Sequence, residues 1–265
     1  MRKKKRVPKV NKQKIKSFDE SKVASLNKIK VLILLIILLF VVLYIAAAYS
    51  PVFIVKNIEV SNNTRLTSEK IIELSRIEQD SNIFRLNKSS IISSLKTNAY
   101  IETASIDYKL PTTVKIVVTE RKPLFIIQIA DSFVYVDRQG YMLEVSTERL
   151  DLPIVTGFTT DLNNAKAGDR LSKTDLDKLN RVIKIMDALK TKELLVTVSK
   201  IDVSDLNNCS VGFDSEGKVA YLGNCSDIDI RMDYLKTILE QESGHTGLIF
   251  VDMDLTKGKA FFREE

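Results

Sequence analysis

The stretch Ala104-Ser-Ile106-Asp-Tyr108-Lys-Leu110-Pro111-Thr-Thr113-Val114-Lys-Ile116-Val-Val118-Thr-Glu120 holds two alternating runs around one proline. The first run puts Ala104, Ile106, Tyr108 and Leu110 on one face. The second does the same with Val114, Ile116 and Val118. Successive side chains of a strand point to opposite faces, so this period of two reads as a pair of half-buried strands. Pro111-Thr112 turns the chain between them, which predicts a hairpin with one face to be covered.

The cover lies upstream. Thr67–Ile77 brings Ile71, Ile72 and Leu74 together at helical spacing, with Glu69 in the first turn, and predicts a short helix. Asn87 can cap a second helix, Lys88–Thr97, that turns Ile91, Ile92 and Leu95 inward. Before both, Phe53–Val60 is rich in β-branched residues and ends on Ser61-Asn62-Asn63, a strand and its turn. Residues 51–120 thus form a β-α-α-β-β module. Ile116 is expected on the face that meets the helices.

Residues 121–265 predict a second, mixed α/β module that ends in a strand. Short strands are expected at Leu124–Ile129, Phe133–Asp137, Tyr141–Val145, Leu194–Val203, Leu206–Phe213, Lys218–Leu222, Gly247–Met253 and Lys259–Arg263. Ser172-x-x-Asp175 and Ser226-x-x-Asp229 resemble capping boxes and open helices to about Lys190 and Glu242. The first helix carries a stripe of Leu176, Leu179, Ile183 and Met186. The fold class is α+β.

Val31–Tyr49 contains no charged residue. Its 19 residues rise about 28 Å as a helix, close to the hydrocarbon thickness of a bilayer. Twelve Lys/Arg precede it, and Lys56 is the one base in the ten residues after it. That step predicts residues 1–30 as a cytoplasmic tail, 31–49 as a transmembrane helix and 50–265 as extracytoplasmic, a single-pass type II protein. The alternative is a signal peptide cleaved near Ala46-Ala47-Ala48. The long leading region and long apolar run stand against it. The net charge of +6 belongs to the tail, since residues 50–265 carry 28 basic and 32 acidic residues. A nucleic-acid-binding main domain would need a basic face of its own, so none is expected.

No catalytic constellation emerges. Ser93-Ser-Leu-Lys96, Ser61-Asn-Asn63 and His245-Thr-Gly247 imitate the motifs of penicillin-binding enzymes, but in the wrong order. One His and two distant Cys do not make a zinc site. Asp161, Asp169, Asp175, Asp177, Asp252 and Asp254 lack the pattern of a calcium loop. No enzyme activity, cofactor, metal or small-molecule substrate is expected. Cys209 and Cys225 could bridge only if the chain folds back after Gly223, and two independent reduced cysteines are the expected state.

Several segments carry a family resemblance. Phe53-x-Val55-x-x-Ile58-x-Val60-x-Asn62-Asn63 is similar to the first strand of a POTRA module. Asn82-Ile83-Phe84-Arg85-Leu86, Ile101-x-x-Ala104-x-Ile106 and Leu110-Pro111-Thr112-Thr113-Val114 follow in order. So do Glu120-Arg121-x-Pro123, Val136-Asp137-Arg138-x-Gly140 and Leu152-Pro153. Behind a single span, this series resembles the FtsQ/DivIB family of bacterial cell division proteins. One departure is Asn62-Asn63 where the family usually has Gly-Asn. Asn tolerates positive φ, so the turn is expected to survive.

The resemblance implies a POTRA domain at 51–120 and a β-rich FtsQ/DivIB domain at 121–265. It also implies a non-enzymatic scaffold at the division septum with partners of FtsL and FtsB/DivIC type. The competing classes are a membrane-anchored cell-wall enzyme, a POTRA-type secretion or assembly factor and an anchored sensor. The first lacks a convergent polar site, the second a barrel, and the third a cytoplasmic domain. A terminal strand is often a sheet edge, open to another chain. The resemblance places the small partner beside that strand. Leu255, Lys259, Ala260, Phe261, Phe262 and Arg263 are therefore the expected partner-binding residues, with Phe261 and Phe262 on opposite faces.

Overall fold

The computed structural model describes residues 12–162, 164–253 and 260–264. It opens with one helix, α1 (Lys12–Tyr49). Within the 22 residues of Lys28–Tyr49, an 18-residue window reaches a mean hydropathy of 3.3. By length and composition they fit a single crossing of a bilayer. Side chains from Val31 to Ile45 are exposed, as lipid-facing residues are. The helix stops where expected, because the Ser50 side chain accepts from the Val52 N–H and Pro51 opens a single 3₁₀ turn, Pro51–Phe53. That turn delays the first strand, β1, to Asn57–Ser61.

The β-α-α-β-β order then follows. Helix α2 (Ser68–Ser75) is capped by the Thr67 side chain, which accepts from the Lys70 N–H. Helix α3 is Lys88–Leu95, and the two helices pack on each other. Strands β2 (Ile101–Lys109) and β3 (Thr113–Glu120) form the hairpin, and the sheet order is β1-β3-β2. Ile71, Ile91, Leu95, Ile106, Val114, Ile116 and Val118 are buried. Ile72 and Ile92 are only half-buried, at the margin of that core. Asn62 takes φ 66°, which is the conformation its turn requires.

Nine strands form the second sheet. They are β4 (Pro123–Ile129), β5 (Ser132–Asp137), β6 (Met142–Ser146), β7 (Ile154–Thr156), β8 (Lys200–Asp202), β9 (Cys209–Phe213), β10 (Lys218–Gly223), β11 (Gly247–Phe250) and β12 (Phe261–Glu264). Their order is β12-β11-β10-β9-β8-β7-β4-β5-β6. Helices α4 (Leu176–Thr191) and α5 (Ile228–Gln241) contribute to its core. The buried face of α4 is wider than the expected stripe. Val182, Ile185 and Leu189 join Leu179 and Met186, while Leu176 and Ile183 are partly buried. The helix packs against α5 as well as into the sheet core, so a single stripe could not cover it.

Three local expectations are corrected. Ser172 makes no capping bond. Asp175 instead is fully buried and accepts from the N–H and hydroxyl of both Thr159 and Thr160. Ser226 does not cap α5 either, which begins after Asp227. Leu195–Thr197 is a 3₁₀ turn rather than strand, because the chain is still turning off α4, with the Leu194 N–H bonded to the Leu189 carbonyl.

The cysteines are free, as expected, but not independent. A register shift near Leu222 pairs Cys209 with Gly223. Cys225 follows in a tight turn at φ 55°; the buried Cys209 thiol donates to the Asp205 and Leu206 carbonyls, and the buried Cys225 thiol to the Gly223 carbonyl. Each thiol is the strongest influence on the other, lowering the Cys209 pKa and raising the Cys225 pKa.

The described chain forms two compact units. One holds α1, the chain as far as Glu59, and the segments Ile77–Asn87 and Tyr108–Lys115. The other holds Val60–Arg76, Lys88–Asp107 and the residues from Ile116 onward. Within the second unit, the residues that carried the resemblance make a polar joint. The Glu120 carboxylate accepts from the Thr64, Arg65 and Leu66 N–H groups and the Thr64 hydroxyl. Arg121 donates to Asp137 at 2.6 Å. The other Asp137 oxygen accepts from the Gln139 and Tyr141 N–H groups. Tyr100 and Arg65 both donate to Glu144 on β6 at 2.8 Å.

Candidate partner interface at the last strand

Strand β12 closes one end of the nine-stranded sheet. It pairs antiparallel with β11 in the register Gly247↔Glu264, Leu248↔Arg263, Ile249↔Phe262 and Phe250↔Phe261. Strand β11 is itself parallel to β10. Among the described residues nothing pairs with the outer edge of β12. A row of backbone donors and acceptors is therefore open to an added strand.

The pleat sorts the two phenylalanines. Phe262 and Ala260 are partly buried and pack against the core. Phe261 is 45% exposed, on the opposite face. There it stacks on Phe250 with ring centroids 4.8 Å apart. Phe250 in turn stacks on Tyr221 at 5.2 Å, and the Arg263 guanidinium lies 5.3 Å over the Phe250 ring. The result is a ladder of three aromatic rings, one from each of β10, β11 and β12, that ends at the open edge.

Two contacts hold the strand in place. Gly247 has φ +155°, and a Cβ there would stand 2.2 Å from the Arg263 carbonyl oxygen. Only glycine lets β11 and β12 approach this closely. At the same end, His245 Nδ1 and Glu264 Oε1 are 3.0 Å apart. This bond holds the exposed His245 imidazole above its ordinary pKa of 6.5. Below β11, the buried Arg231 donates to the Val251 and Ser226 carbonyls and so ties α5 to the end of the strand.

Of the six expected residues, Ala260, Phe261, Phe262 and Arg263 meet at this edge. Leu255 and Lys259 lie outside the described residues. Sequence reasoning missed Tyr221, Phe250, His245 and Glu264. The available signal was an aromatic residue near the end of each of two earlier strands, but only the strand order makes them neighbours.

The arrangement offers surface rather than chemistry. Ser93 is exposed on α3, and Lys96 is exposed just beyond its end. Among the described residues no group of three His, Cys, Asp or Glu could hold a metal ion.

Comparison with known proteins matches two family models. "POTRA domain, FtsQ-type" covers residues 53–121, and "Cell division protein FtsQ/DivIB, C-terminal" covers residues 125–254. A "Cell division protein DivIB" of Clostridium botulinum is 26% identical over 220 residues, which span 82% of this chain and 84% of that one. A "Cell division protein DivIB" of Clostridium tetani is 26% identical, over 78% and 77% of the two chains. A "Cell division protein FtsQ" of Syntrophotalea carbinolica is 27% identical, over 78% and 73%.

Proposed function

The chain belongs to the FtsQ/DivIB family of bacterial cell division proteins, and from that premise we propose a membrane-anchored, non-enzymatic scaffold that captures small division proteins of FtsL and FtsB/DivIC type. In this reading residues 1–30 are the cytoplasmic tail and 31–49 the anchor. Residues 51–120 are the POTRA domain and 121–265 the extracytoplasmic FtsQ/DivIB domain, gathered at the division septum. The charge step across the span supports the orientation.

One observation carries the capture mode: the open edge of β12 beside an exposed aromatic ladder. Strand addition draws affinity from backbone pairing and selectivity from side chains on the pleat. Ala260, Phe261, Phe262 and Arg263 would supply both, with Leu255 and Lys259 flanking.

Ala260→Pro removes an N–H and clashes with strand pairing. In the full-length protein it should abolish capture of the FtsB/DivIC-type partner while the chain stays in the membrane. A protein truncated after Gly258 that folds and captures this partner undiminished would place the site elsewhere. A fluorescent fusion should collect at midcell, and protease added to protoplasts should digest residues 50–265.

A further inference from the structure

We propose that the crevice at the end of α1 binds the headgroup of phosphatidylethanolamine, seating residues 78–86 on the outer leaflet. This rests on reading α1 as a membrane span. The crevice encloses about 490 Å³ and is lined by Tyr49, Ser50, Glu78, Asp80, Asn82 and Arg85, among others.

Its depth relative to the bilayer follows from three contacts. The Tyr44 hydroxyl donates to the Phe84 carbonyl at 3.1 Å. Asn82 Nδ2 donates to the carbonyls of Ala47 and Ser50, at 3.0 and 3.1 Å. Ala47 lies in the last turn of the helix and Ser50 directly after it. Phe84 also packs edge-on against Tyr44 and Phe53, with centroids 6.3 and 5.0 Å apart. Tyr44 is five residues, or about 7.5 Å, below the helix end. Residues 82–85 therefore lie beside the final turn, where aromatic residues mark the interface. At that level the neighbouring groups in a bilayer are phosphates and headgroup amines.

The charges in the crevice match such a headgroup. Arg85 is exposed, with its guanidinium 5.4 Å over the Tyr49 ring. A planar fork in this position suits a phosphate. Glu78 and Asp80 line the same crevice. They would repel a purely anionic headgroup but accept hydrogen bonds from a primary ammonium. Phosphatidylethanolamine carries the phosphate and the ammonium together. Phosphatidylglycerol has no cation, and phosphatidylcholine has no N–H to donate.

The test is lipid retention by the full-length protein. It would be reconstituted in nanodiscs of equal parts phosphatidylethanolamine, phosphatidylglycerol and phosphatidylcholine, and the lipids it keeps would be counted by native mass spectrometry. The wild type should favour phosphatidylethanolamine by about tenfold, as two charge-assisted hydrogen bonds allow. Arg85→Ala should lower retention of all three lipids, because each carries the phosphate, with an unchanged melting curve. Glu78→Gln with Asp80→Asn should erase discrimination against phosphatidylcholine while phosphate retention persists. Equal retention of the three lipids, a preference for phosphatidylglycerol, or an Arg85→Ala protein that behaves as wild type would overturn the site. A chain that never enters the disc would overturn the span as well.

Discussion

The rings of Phe261 and Phe250 lie 4.8 Å apart with their planes 17° from parallel. Both stand on the face of the sheet that leaves Phe261 open. The last strand thus has an apolar ledge beside an unpaired edge, whereas its neighbour Phe262 packs against the core. The expected effects of substitution at the two positions differ accordingly.

Phe261→Ala removes an exposed ring and should shift folding stability by less than about 0.5 kcal/mol. As an aromatic anchor at an interface it is worth about 2 kcal/mol of binding, more than tenfold in Kd. Phe262→Ala should instead lower stability by about 2 kcal/mol, because a partly buried ring leaves the core. Thermal melts and surface plasmon resonance on the same two proteins separate the effects. Equal losses of binding with no difference in melting would refute the assignment of faces.

Gly247→Ala sets a methyl group against the Arg263 carbonyl, where the available gap is 2.2 Å. The strand must move away. Amide hydrogen exchange should show lost protection at Phe261–Glu264 and retained protection in β9 and β10, together with loss of partner capture. Protection unchanged in β12 would show that the strand is held by something else.

The His245–Glu264 bond makes the docking of β12 depend on pH. The imidazole pKa is raised in the folded protein, so its contribution is complete below about 6.5, the unfolded value, and disappears as pH rises through the folded value. Protection factors at Phe261–Glu264, corrected for intrinsic exchange, should fall across that window. His245→Ala should flatten the profile. A wild-type profile that is already flat would show that the bond does not form in solution.

Asp175 acts in the opposite sense. Burial alone would raise its pKa, but the four groups of Thr159 and Thr160 that donate to it hold it below the ordinary 3.8. Its stabilisation is present above the unfolded value of about 3.8 and is lost as pH falls through the lower folded value. Asp175→Asn should destabilise the second module at neutral pH and make its unfolding less steeply dependent on pH below about 4. Acid titration followed by near-ultraviolet circular dichroism measures both slopes.

Arg121→Ala leaves the Asp137 carboxylate, 4% exposed, without its cation. It also strips the guanidinium from the Tyr141 ring, 4.0 Å away. Breaking a buried pair from one side costs about 3–5 kcal/mol. Differential scanning calorimetry should register a large fall in Tm. A fall within about 1 kcal/mol would mean that water replaces the cation there.

The alternation around Pro111 and the uncharged run before Ser50 were legible because each depends on neighbours in the chain. A hairpin needs period two, and an apolar helix of span length needs a run without charge. The Glu120-Arg121 and Asp137-x-x-Gly140 signatures could be recognised in the same way, but their purpose could not. Glu120 holds the turn at Thr64–Leu66 and Arg121 holds Asp137 only once the strands have met. The same limit applied to the last strand. Period two sends Phe261 and Phe262 to opposite faces, yet which ring is covered depends on the core packed against β12. The ladder from Tyr221 through Phe250 to Phe261, the Gly247 contact and the His245–Glu264 bond join residues far apart in the chain. Their neighbours are set by a sheet order in which β11 runs parallel to β10 and β12 returns antiparallel. Local periodicity specifies strands and faces, whereas strand order follows from burying every apolar face at once, a condition imposed by the whole chain.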